Sequence, residues 1–171
     1  FSNVFLKYAV AIIFLSAIGH FVPEVMGLGT STVLSAVSGE FVLYFAIIIL
    51  IGKIIATSIS LGFGFFGGVF SPALLVGASA GAVVAELFVV VGFLEKFEPA
   101  LVISGMAAVT GAVIGAPICM VVIVMELTSS YIYALSSLVG LTLSVSLSHI
   151  LFGASYFDRQ LGTRGIDIST G

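Results

Sequence analysis

From Val4 to Phe152 the chain is a succession of apolar runs, interrupted only by glycines, prolines and short polar pieces. Such runs are expelled from water, and a bilayer core takes about 20 helical residues to cross. Only 8% of the residues are charged and 60% are hydrophobic, whereas a soluble domain carries roughly 25% charged residues. The mean hydropathy is +1.35. These features describe an integral, multi-pass membrane protein whose first partner is the lipid bilayer. The runs are uneven, so the expected fold class is all-α: a polytopic membrane helical bundle with short, broken and re-entrant helices.

Val4–Val22 is the first run and stops at Pro23-Glu24. Gly27–Glu40 is too short and too polar to span, and is expected to lie partly within the protein or to re-enter. Phe41–Leu61 is full length with Lys53 inside it, and Pro72–Phe93 follows a glycine-rich stretch. Leu94–Pro99 is a polar loop. Ala100–Gly115 and Ile118–Thr128 are shorter pieces split by Gly-Ala-Pro at 115–117. Tyr131–Phe152 is the last long run, and a short segment starts near Ser155. Non-helical backbone at membrane depth is tolerated only where protein buries it or where it lines a wet cavity. Short, Gly/Pro-interrupted segments point to a transport site. Small residues at helical spacing (Gly77/Gly81, Gly111/Gly115 and Ser144/Ser148) predict close helix crossings.

The densest interruption is "GFGFFGGVFSP", Gly62–Pro72, with four glycines in its first seven residues. Proline suits the first helical position because it lacks the donor that would be orphaned there, so Pro72 predicts a helix start. Gly68, Val69, Phe70 and Ser71 then present backbone N–H groups at a helix N-terminus, which carries roughly half a positive charge and attracts anions. Phe70 is expected to shield that site. Neutral donors without a full fixed charge suit an anion that must also leave. A phosphate loop does not fit, because the Gly-Lys-Ser/Thr ending is missing. Spacing alone leaves two possibilities open, an anion site or a loop that lets helices cross.

"GGVFSP" resembles the G-x-F-x-P motif of the CLC family of voltage-gated chloride channels and chloride/proton exchangers. "ISGMAAVTGAVIGAPICMVVIVMELTSSY", Ile103–Tyr131, is similar to that family's Gly-Met-Ala…Ala-Pro…Glu-Met/Leu-Thr stretch, and "SYFDRQLGTRGID" resembles its last, pore-facing helix. The resemblance implies a fold of two inverted repeats, usually a homodimer with one pore per subunit. This chain is similar to the second repeat, the C-terminal half of the membrane domain. Residues 1–171 are thus expected to be a single transmembrane piece of a longer protein, with no soluble domain. The apolar start without an initiator Met or a basic n-region agrees with this.

The implied function is passage of chloride or a similar monovalent anion, with chloride as substrate and no cofactor. The resemblance puts the backbone amides of Val69 and Phe70 on the anion and the dimer face on the helices near 118–128 and 131–152. The first repeat, needed for a complete pore, would supply a serine loop and a gating glutamate, and neither motif occurs here. Channel or exchanger therefore stays open. The runner-up is a broken-helix secondary transporter of another anionic solute. Localisation is expected in the plasma (inner) membrane if the source is bacterial, and Arg159 and Arg164 lean cytoplasmic.

Lys53 reads either as a pathway charge or as a snorkelling or paired lysine. Glu86 and Glu126 read as structural caps or pairs. Cys119, the one cysteine, reads as a small core residue. His20 and His149 lie near predicted helix ends with no carboxylate or cysteine at ligand spacing, so no metal is expected. The net charge of −3 and the lack of a basic cluster give no basis for a nucleic-acid partner. Ser79 in "GASAG" and His149 fit a serine protease poorly, because Ser79 sits inside a helical run, so no enzyme is expected.

The family's pore tyrosine is matched by Phe157, with Tyr156 beside it as the alternative. Phenylalanine has no donor, and a hydrogen bond to a charged group contributes about 1.5–3 kcal/mol. Phe157→Tyr is expected to raise the intact protein's chloride affinity at least tenfold in isothermal titration. An unchanged affinity refutes the assignment of Phe157 to the pore.

Overall fold

The computed structural model describes residues 4–65, 67–93 and 99–153. Seven α-helices and one 3-10 turn follow in order among them, with no strand. They are α1 (Val4–Phe21), the turn Pro23–Val25, α2 (Thr30–Val37), α3 (Leu43–Phe63), α4 (Phe70–Val90), α5 (Pro99–Ile114), α6 (Pro117–Thr128) and α7 (Tyr131–Phe152). The all-α expectation holds. Three helices, α3, α4 and α7, are long and apolar enough to cross a membrane. The others are shorter, as the uneven runs required.

Prolines set several boundaries. Pro117 opens α6 and Pro23 opens the 3-10 turn, where their missing N–H is no loss. Pro99 begins α5 instead of closing the preceding loop. Residues 94–98, the rest of that expected loop, lie outside the described residues, as does the short segment from Ser155. α4 begins at Phe70, two residues before the expected start at Pro72. No N–H in a first turn has an intrahelical acceptor, so proline is tolerated throughout it.

α5 is the shared element of the bundle, packed on α4 on one side and on α7 on the other. In lipid the hydrophobic effect does not drive helices together, and close backbone contact takes its place. The α4–α5 crossing shows this. A Cβ added at Gly77 would lie 2.5 Å from the Gly105 carbonyl oxygen, and one at Gly81 would lie 2.5 Å from that of Leu101. Gly105 answers from the other side, 2.6 Å from the Gly77 oxygen. On the α7 side, Gly140 faces the Ser104 oxygen and the Ser144 hydroxyl donates to the Ala108 carbonyl at 2.9 Å.

The Gly111/Gly115 pair divides its roles. Gly111 packs against Leu141 of α7. Gly115 is exposed and ends α5 in the left-handed region (φ +77°), so it is a terminator and not a packing residue. One apolar cluster, including Val25, Ile49, Leu75 and Val102, lies between α3, α4, α5 and the 3-10 turn. A second, including Ile103, Met120, Val124 and Leu141, lies between α5, α6 and α7.

Two smaller expectations are corrected. Cys119 is exposed. The buried side of α6 carries Met120 and Val124, and the preceding residue points about 100° away from Met120. Glu86 and Glu126 form no ion pair among the described residues. The end of α6 is instead closed by the Ser129 N–H, which donates to the Met125 carbonyl, and by the Thr128 hydroxyl, which donates to that of Val124. A carboxylate has no proton to offer those carbonyls.

Because a methyl at Gly77 or Gly105 would strike backbone, Gly77→Ala and Gly105→Ala should each cost about 1–3 kcal/mol. This would be read as a lower unfolding midpoint in detergent micelles. Gly62→Ala, with nothing within 4 Å of the new methyl, should stay within about 0.5 kcal/mol of the parent. Three equal midpoints would refute the close crossing.

Candidate functional site

α3 ends in a tight reversal. Gly64 adopts φ +87°, its N–H donates to the Leu61 carbonyl and the Phe65 N–H to that of Ser60. This pair of bonds is a Schellman ending, which takes glycine because the left-handed region strains a Cβ. The chain then runs through Gly67 and Gly68, both exposed with open space around them, into α4. Val69 is the N-cap and makes no side-chain capping bond. Among the described residues, the N–H groups of Val69, Phe70 and Ser71 have no acceptor, and the first α4 donor to find one is Ala73, on the Val69 oxygen at 3.1 Å. A 21-residue helix thus starts with free donors and the positive end of its dipole.

This start borders a cavity of about 300 Å³. Gly67, Gly68, Val69 and Pro72 line one side, and Lys53, Thr57 and Ser60 of α3 line another. Val25, Met26 and Gly27, with the apolar Leu15 and Phe65, complete the wall. Of the site residues named from sequence, Gly68, Val69, Pro72 and Lys53 are therefore brought together. Phe70 is 39% exposed and is absent from the cavity wall, so the expected shielding by its ring is not found. Ser71 turns the other way, its hydroxyl donating to the Leu28 carbonyl at 2.5 Å. Tyr156 and Phe157 lie outside the described residues.

Lys53 is only 5% exposed. Its ammonium donates to the Val25 carbonyl at 2.7 Å and to the Gly27 carbonyl at 3.0 Å. The 3-10 turn and the irregular backbone between it and α2 present carbonyls that need partners wherever water is excluded. Three side chains provide them. Besides Lys53 and Ser71, the Thr32 hydroxyl reaches the Glu24 carbonyl at a long 3.4 Å. Gly29, at the start of α2, sits so close to Leu75 of α4 that a Cβ would lie 2.7 Å from its methyl. Lys53 is thus a paired lysine whose partners are backbone carbonyls, and it also borders the cavity.

Sequence reasoning missed the 24–28 carbonyls, Thr57 and Ser60. The last two were readable: with Lys53 they stand at i, i+4 and i+7, one face of an otherwise apolar helix. The carbonyls were not, because a main-chain acceptor has no letter. Ser79 is fully buried, its hydroxyl has no hydrogen-bond partner among the described residues, and no bond joins it to the exposed His149. Among the described residues no three His, Cys, Asp or Glu side chains gather where they could hold a metal.

Residues 1–149 match the family model of the voltage gated chloride channel. The chain belongs to that family. It is 32% identical over 113 residues to an uncharacterized protein of Methanocaldococcus jannaschii, a match that takes in 66% of this chain and 27% of that protein. It is 27% identical over 142 residues to an H(+)/Cl(-) exchange transporter of Vibrio parahaemolyticus, covering 82% of this chain and 30% of the relative. The corresponding transporter of Vibrio cholerae is 29% identical over 143 residues, with the same coverage. The chain thus spans about three-tenths of the length of the curated relatives it matches. Family membership and the apolar spans together make it an integral membrane protein.

Lys53→Met leaves two carbonyls without a donor, each costing about 1–3 kcal/mol where water cannot reach. The variant should unfold at a clearly lower denaturant concentration and be cut faster by protease within Pro23–Gly29. Lys53→Arg, which keeps donors and charge, should recover much of the difference. A Met variant as stable as the parent means that the clamp holds nothing.

Proposed function

We propose that this chain forms the second of two inverted repeats in a pathway for chloride or a similar monovalent anion. The N–H groups of Val69 and Phe70 meet the anion at the start of α4. The observation that carries this proposal is the uncapped helix start, whose donors have no acceptor and which opens on the cavity bordered by Lys53. A hydrogen bond to a charged group contributes about 1.5–3 kcal/mol. A few such bonds offset part of an anion's dehydration and still release it, which conduction requires.

Gly68 leaves the approach bare, Ser71 ties the helix start to the Leu28 carbonyl, and Pro72 removes one donor that would compete within the first turn. Family resemblance assigns Phe157, with Tyr156 as the alternative, to the same anion, and both lie outside the described residues. Lys53 adds a positive field from the cavity wall. Whether transport is channel-like or coupled to protons is a separate question, and the name of the Vibrio relatives makes proton exchange the form to test first.

A complete pore takes the first repeat as well, and the length of the relatives leaves room for one. We place the protein in a homodimer through α6 and α7, where Ile118, Val122, Leu135 and Val139 are exposed apolar side chains. In a bacterium the dimer would sit in the inner membrane.

The test is chloride efflux from liposomes holding the full-length protein, with external pH recorded in the same trace. Efflux above that of empty vesicles is expected. Proton movement against chloride marks an exchanger, and a flat pH trace marks a channel. Folded protein that releases no chloride overturns the chloride assignment and favours another anionic solute.

A further inference from the structure

The cavity has a second polar wall, on α3. Lys53, Thr57 and Ser60 all border it. At about 100° per residue they fall within roughly 60° of one another around the helix, and they climb about 10 Å along it. Ser58, the other hydroxyl in this part of α3, is exposed and is absent from the cavity wall. The hydroxyls of Thr57 and Ser60 make no hydrogen bond within the described residues, although both residues are part-buried. Among the described residues, Thr110, Thr128 and Ser136 each donate to the carbonyl four residues back. That partner is open to every helical serine or threonine, and these two do not take it.

We propose that Thr57 and Ser60 form a second station for a halide-sized anion on the α3 wall, apart from the backbone donors of α4. The proposal rests on the anion-path function above and adds a binding subsite to it. The lining residues include one cation and no carboxylate, which selects for negative charge. A hydroxyl can accept or donate, and a neighbouring anion makes it donate.

Lys53 supplies the field without gripping the ion. Its ammonium already holds the Val25 and Gly27 carbonyls, and Thr57 stands one helical turn farther on, about 6 Å along the axis. An ion at the hydroxyls is attracted by the charge yet spared a direct ammonium contact that would slow its release. The stripe then gives one neutral station on the wall that the lysine shares with the glycine-lined start of α4.

The test uses the full-length protein in liposomes, with chloride flux measured over a wide range of chloride concentration. Thr57→Val keeps the shape and removes the hydroxyl. Ser60→Ala removes one oxygen. Each should raise the half-saturating chloride concentration about tenfold, the scale of one hydrogen bond to an ion. Thr57→Ser should restore the parent curve, which a purely steric role would not do, and Ser58→Ala should match the parent. If Thr57→Val fails to fold, Ser60→Ala with its folded yield confirmed by gel filtration decides alone. Parent flux with unshifted Thr57→Val and Ser60→Ala curves overturns the station and leaves the anion path standing. A parent protein that passes no chloride overturns both.

Discussion

Backbone that leaves the α-helix must find partners for its polar groups wherever water is excluded, and one lysine supplies two of the four side-chain hydrogen bonds that the carbonyls of residues 24–28 accept among the described residues. The 3-10 turn and the segment after it offer a row of carbonyls, and the Lys53 ammonium takes two of them from a distance of 26 to 28 residues along the chain. Lysine suits the position because its four-carbon stem packs among apolar side chains while its head carries three donors and no acceptor. A neutral hydroxyl could satisfy one carbonyl, but not two with charge-assisted strength. The same contact brings a positive charge to the wall of a cavity that holds the start of α4, so a structural requirement and an electrostatic opportunity coincide.

The uncapped start of α4 is held from two directions. Along its length α4 is locked to α5 by glycines whose backbones touch, a contact too short to slide without breaking. At its tip the Ser71 hydroxyl is drawn to the Leu28 carbonyl, and Gly29 lets α2 lie against Leu75. Thus Ser71, inside the glycine-proline motif, has its hydroxyl turned toward the segment before α2, while the N–H groups around it have no acceptor among the described residues. Preorganised donors with no internal acceptor are what a weakly held, dehydrated ion requires. A flexible loop would lose the entropy of ordering at each binding event.

The glycines of the Gly62–Gly68 stretch illustrate how differently one residue type can be used. Gly64 ends α3 through its left-handed conformation. Gly67 and Gly68 leave backbone bare beside the cavity. Gly62 sits in the last turns of α3 with nothing near it. Similarly, Gly111 and Gly115 share a motif but not a task, because one faces Leu141 and the other terminates its helix. Spacing identifies the residues that can permit close approach, and only the partner surface decides which of them do.

Much was therefore legible in the letters alone. Hydropathy determined the membrane setting, the run lengths determined an all-α bundle with unequal helices, the Tyr131–Phe152 helix was readable to the residue, and the Gly-Gly-Val-Phe-Ser-Pro motif marked the uncapped helix start. These are local properties, set by the solvent each residue tolerates and by the conformations proline and glycine permit. The tertiary structure alone decided that Lys53 is clamped to carbonyls and does not snorkel, that Phe70 leaves the cavity uncovered, that Cys119 faces outward, and that Thr57 and Ser60 share a wall with Gly68. Each depends on which distant backbone or side chain arrives alongside, and a hydrogen-bond acceptor on the main chain carries no sequence signature.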